Sequence, residues 1–162
     1  MALRIYIAIR YNFSVSKIDY ESLAGFRYEI RRFLNFSEEA AHEAGIEPQQ
    51  HQALLAIKGR PQWLEPTIGA LAERLQVRHH TAVELTDRLE AKGWIHRERA
   101  QDDARKVTLH LTRRGEALLA KLSVAHREEL QTAGPRLIAA LRSVVAPKAA
   151  RRPRAKLSLA RT

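Results

Sequence analysis

Residues 67–95 read TIGALAERLQVRHHTAVELTDRLEAKGWI, and how they divide decides the fold. Thr67 suits a helix N-cap, and Ile68 to Leu75 forms a short helix behind it. Gln76 and Val77 make a tight link. A second helix runs from about Arg78 to Lys92, and Gly93 ends it. Two short helices joined by a tight turn form a helix-turn-helix. Ile68, Leu71, Ala72, Leu75, Val77, Ala82, Leu85, Thr86 and Leu89 fall on the inward faces. Ala72 is small where the two helices must cross closely.

The next residues extend the unit. Trp94–Arg99 and Lys106–Leu111 are short β-prone runs around the polar link Ala100–Arg105. Val107, Leu109 and Leu111 alternate with Thr108 and His110, as in a half-buried strand. A hairpin directly after a helix-turn-helix is a wing. Upstream, Pro48 opens a helix through Lys58, closed by Gly59, Arg60 and Pro61. Before that, Leu23, Phe26, Ile30, Phe33, Leu34, Ser37, Ala41 and Ala44 recur at helical spacing from Tyr20 to Ala44, and Gly45 stops the run. A stripe of that length needs cover that a small domain lacks, so it is expected to pack on another subunit. Downstream, Thr112 caps a helix carrying Leu118, Leu119, Leu122, Ala125 and Leu130. Gly134 and Pro135 are expected to interrupt it before a last helix with Leu137, Ile138, Leu141 and Val144.

The fold class expected is therefore mainly α with a small β-hairpin, a winged helix-turn-helix between N- and C-terminal dimerisation helices. The divisions are 1–18, an extension whose period-two alternation suits a strand; 19–47, the N-terminal dimerisation helix; 48–111, the winged helix-turn-helix; 112–145, the C-terminal dimerisation helices; and 146–162, a basic tail expected to be disordered.

The chain has 162 residues, 28 Lys and Arg, 18 Asp and Glu, and no Cys, for a formal net charge of +10. Six of those ten charges lie in 146–162, on Lys148, Arg151, Arg152, Arg154, Lys156 and Arg161. Absent thiols exclude disulfides, thiolate zinc sites and cysteine redox switches. No run approaches the roughly 18 apolar residues of a membrane span, and no secretory leader is evident, so the expected location is cytoplasmic. The charge points to a polyanion partner, nucleic acid first. Enzyme chemistry has no support: there is no Gly-rich phosphate loop, Gly-x-Ser-x-Gly or Cys nucleophile. No cofactor is implied. Glu39 and His42 sit at i,i+3 beside Glu38 and Glu43, but no second histidine is fixed near them, and adjacent His79 and His80 diverge on a helix. No metal site is expected.

Three segments together resemble the MarR family of transcription regulators: Thr67–Leu75, Leu89–Ile95, and Asp103-Ala104-Arg105-Lys106-Val107-Thr108-Leu109-His110-Leu111-Thr112-Arg113-Arg114-Gly115. The resemblance spans roughly residues 20–145. It implies a homodimer with a winged helix-turn-helix in each subunit, binding double-stranded DNA at a palindromic operator. It also implies repression relieved by a small organic effector. The second helix of the motif would enter the major groove. Its outward residues Arg78, His79, His80, Thr81, Val83, Glu84 and Arg88 are candidate contacts to phosphates and base edges. Glu84 also suits a surface pair with Arg88. By resemblance, Arg105 is the wing arginine of the minor groove, Asp103 holds its guanidinium, and Lys106 lies near phosphate. A ligand pocket would draw on Arg27, Phe33, Phe36, His42, His51 and Trp63. Two other readings remain open: a nucleoid-type protein that coats DNA without sequence preference, and a winged-helix interaction module that binds no DNA.

Overall fold

The computed structural model describes residues 19–99 and 107–145. Helix α1 is Tyr20–Glu43, α2 is Pro48–Lys58, α3 is Ile68–Leu75 and α4 is His79–Ala91. Strands β1, Ile95–Arg99, and β2, Val107–Leu111, follow, and α5 is Arg113–Val145.

Local chemistry sets most of the boundaries. The Asp19 side chain accepts the Ser22 N–H at 3.2 Å and starts α1. Gly45, at φ +76°, turns the chain out of α1, and Ile46 donates back to the Ala41 carbonyl at 3.0 Å. The Gln50 side chain accepts the Glu47 N–H at 3.2 Å, with Pro48 in the first turn of α2. Thr67 caps α3 by accepting the Ala70 N–H at 3.2 Å. Between α3 and α4, Gln76 adopts a left-handed φ of 54°, and Val77 donates to the Ala72 carbonyl at 3.0 Å.

The core joins these parts. Ala53, Leu54 and Ile57 of α2 meet Leu71 of α3, Leu85 and Leu89 of α4, and Ile95 and Leu109 of the hairpin. Leu119 and Leu122 of α5 and Ala41 of α1 close it from the other side. The strands are antiparallel, with Ile95 opposite Leu111 and Arg97 opposite Leu109. Pro66 accepts the Leu109 N–H at 2.8 Å, and Thr67 bridges to Thr108, so the hairpin is tied to the entry of α3.

Two expectations change. The interruption at Gly134 and Pro135 does not occur: α5 runs unbroken for 33 residues. Pro135 has no N–H to donate, but packing on α1 holds the helix through it. Ala133, just before, is 4% exposed, and Arg136, just after, pairs with Glu29 of α1 at 3.4 Å. The chain also covers part of the α1 stripe itself. At about 1.5 Å per residue α5 is longer than α1, and it covers the Ser37 and Ala41 side. Tyr20, Leu23, Tyr28 and Leu34 remain exposed. The suggested strand within 1–18 and the tail at 146–162 lie outside the described residues.

Candidate nucleic-acid interface

Helix α4 presents an open N-terminus. Arg78 occupies the N-cap position without a side-chain cap, and the first turn holds no acid. Free N–H groups and the helix dipole make such an end favourable to an anion. Arg78, His79 and His80 are exposed there, and Thr81 is half-buried. Further along, Val83 is half-buried, while Glu84, Asp87 and Arg88 are exposed. The buried face comprises Ala82, Leu85, Thr86 and Leu89, so the outward set is fixed by what the core takes. The surface pair expected for Glu84 takes another form: Arg88 Nε donates to the Glu84 backbone carbonyl at 3.2 Å. Asp103, Arg105 and Lys106 lie outside the described residues.

The hairpin is attached to α4 by Arg97, which sequence reasoning did not single out. Its guanidinium meets Thr86, Asp87 and Glu90 of α4. An arginine on the inward side of a strand, opposite Leu109, was the available signal.

A second region lies between α1, α2 and α5. It is a cavity of about 490 Å³ whose walls include Phe33, His51, Leu55, Ser123, His126 and Leu130. Of the six residues expected for a pocket, Phe33 and His51 line it, and Phe36 packs edge-on to His126 with ring centroids 5.5 Å apart. Arg27, His42 and Trp63 do not join them. Arg27 is exposed, His42 faces Glu47 at 3.8 Å, and Trp63 is 81% exposed.

His126 was missed. It follows Leu119 and Leu122 at helical spacing, a position that reading Ala125 as the inward residue obscured. Its Nδ1 lies 2.7 Å from the Leu122 carbonyl, which can only accept, so Nδ1 carries the proton. Its Nε2 meets the Ser37 hydroxyl at 2.8 Å. The His51 ring lies 4.8 Å from it, buried, with Nδ1 lacking a partner. Burial, and then the neighbouring His126, hold the His51 pKa below its ordinary value. A second cavity, of about 380 Å³, lies between α1, α2 and the α3–α4 pair and reaches Leu34, Arg74, Thr81 and Leu85.

No group of three or more His, Asp or Glu side chains among the described residues is placed to hold a metal ion. No helix among them is long and apolar enough to cross a membrane.

The helix-turn-helix, its attached hairpin and the flanking long helices define a winged-helix fold. Residues 44–106 match the MarR family. The solved MepR–DNA complex of S. aureus is similar, at 25% identity and a TM-score of 0.58, over 72% of this chain and 82% of that one. The transcriptional regulator Tm0710 from Thermotoga maritima is 25% identical, with a TM-score of 0.54 over 65% of this chain and 72% of that one. YusO from Bacillus subtilis shares the fold, at 20% identity and a TM-score of 0.56 over 74% of this chain and 82% of that one. No curated protein matches the sequence.

Proposed function

We propose that this protein is a homodimeric, sequence-specific regulator that binds double-stranded DNA in the cytoplasm, and that it represses transcription until a small organic ligand releases it. The observation that carries the reading is the acid-free, uncapped start of α4, with Arg78, His79 and His80 exposed beside a hairpin wing. Such an end suits phosphate and base-edge contact in the major groove. Within this reading Thr81, Val83, Glu84 and Arg88 face the groove, and Asp103, Arg105 and Lys106 form the wing tip.

Dimerisation is supported by the exposed apolar residues on the two long helices: Tyr20, Leu23 and Leu34 on α1, and Ile138, Leu141 and Val145 on α5. Residues 19–47 and 112–145 then form the dimer framework around the DNA-binding unit 48–111. The cavity beside Phe33 and His51 is the place for the effector, since its mostly apolar walls with a few polar groups suit a small organic molecule.

Selection of bound duplexes from random DNA tests this. Two related half-sites about one helical turn apart are expected, with affinity at least ~10³ times that for random duplex. Equal affinity for all sequences would favour a protein that coats DNA, and no binding would favour an interaction module.

A further inference from the structure

Arg97 contacts three side chains of α4, those of Thr86, Asp87 and Glu90. Nη2 donates to Thr86 Oγ1 at 2.6 Å and to Asp87 Oδ1 at 2.5 Å, and Nη1 lies 3.1 Å from Glu90 Oε2. The other Glu90 oxygen accepts the Arg97 backbone N–H at 3.1 Å. One carboxylate thus holds both the main chain and the side chain of the same strand residue. Across the hairpin, Arg97 is in register with Leu109, which is 1% exposed. The hydrogen-bond acceptor Thr86 is itself fully buried and donates to the Val83 carbonyl at 2.8 Å.

This arrangement has two consequences for an anionic partner. Asp87 lies on the exposed side of α4, four residues after Val83 and one before Arg88. An unpaired carboxylate there would repel phosphate, and Arg97 pairs it. The same guanidinium also ties β1, the strand that leads into residues 100–106, to α4. A planar fork holding two carboxylates and a hydroxyl fixes direction better than a point charge does.

We propose that Arg97 is a positioning residue for DNA binding, masking Asp87 on the recognition helix and setting the direction in which the wing leaves it. The proposal rests on the DNA-binding reading above.

The experiment is a double-mutant cycle on affinity, by fluorescence anisotropy with the duplex that wild-type protein selects, at several salt concentrations. Arg97→Met is expected to weaken binding by on the order of tenfold or more. It should also make the salt dependence shallower, because a displaced wing neutralises fewer phosphates. Asp87→Asn should tighten binding several-fold more in the Arg97→Met background than in the wild type, since only there is the carboxylate unmasked. A loss of fold alone gives no such rescue. Arg97→Lys should fall between, keeping charge without the fork. Thermal unfolding is followed for every variant, and if Arg97→Met does not fold, the cycle is run on Arg97→Lys. The proposal is overturned if the Arg97 variant binds like wild type, or if Asp87→Asn has the same effect in both backgrounds. Failure of the wild type to bind any duplex overturns the functional reading instead.

Discussion

Gly115 rests against the backbone of Trp94 so closely that a Cβ on it would lie 2.0 Å from the Trp94 carbonyl oxygen. That carbonyl accepts the Thr112 N–H at 3.0 Å, and the Thr112 hydroxyl donates to the Gly93 carbonyl at 2.7 Å while accepting the Gly115 N–H at 3.1 Å. The start of α5 is thereby clasped to the turn between α4 and β1. Gly115→Ala must push backbone apart, and a loss of about 1–3 kcal/mol or more is expected. Thr112→Val removes two hydrogen bonds, for about 1–2 kcal/mol. Urea unfolding measures both, and a wild-type midpoint for Gly115→Ala would contradict the contact.

The buried His51 makes stability depend on pH. Its pKa is lowered in the folded chain, first by burial and then by His126. The unfolded chain, with an ordinary histidine pKa of about 6.5, takes up the proton first. The His51 contribution is therefore whole above that value and is lost as pH falls through the folded pKa. His51→Leu fills the same apolar site without an unpartnered nitrogen. Thermal unfolding between pH 7.5 and 5 should show a flatter pH dependence for the variant. An unchanged slope would show that His51 is not the titrating group.

The open end of α4 should dominate affinity. Arg78→Ala and His79→Ala are each expected to weaken binding to the selected duplex by about 1–3 kcal/mol if they reach base edges. Arg105→Ala should weaken it comparably through the minor groove. Titrations against wild-type and base-substituted duplexes separate the two roles, because a phosphate contact loses affinity on all sequences alike.

The exposed apolar side chains of the long helices should be an interface. Leu141→Glu and Leu23→Glu place charge in a surface that association would bury. Sedimentation should show a dimer for the wild type and a shift toward monomer for the variants. A wild-type monomer at micromolar concentration would remove the dimer from the reading.

Deleting residues 146–162 removes six cations and no acid. The salt dependence of DNA binding should become shallower while the preferred sequence stays the same. A changed preference would mean that these residues read bases.

Much of this architecture was legible because its punctuation is local. Pro48, Thr67, Gly45 and Gly93 act within a turn of the chain they start or stop, and each does so in the structure. Gly134 and Pro135 carry an equally clear local signal, yet α5 passes through them. The contacts of Ala133 and Arg136 with the rest of the molecule outweigh a missing N–H, and no neighbouring residue announces them. The outward side of α4 was likewise readable from its apolar positions.

The candidate site divides in the same way. Arg78, His79 and His80 could be placed at a helix start from spacing alone, because a helix end is a property of a few consecutive residues. The bridge from Arg97 to Asp87 and Glu90 could not, nor could the approach of His126 to Ser37, 89 residues away in the chain. Helical and strand periodicity say which face a side chain takes. They do not say which distant element meets it. Hence the winged helix-turn-helix and its exposed basic edge follow from the amino-acid order, whereas the masked carboxylate, the paired histidines and the unbroken last helix arise from packing, where burial and charge pairing act between segments remote along the chain.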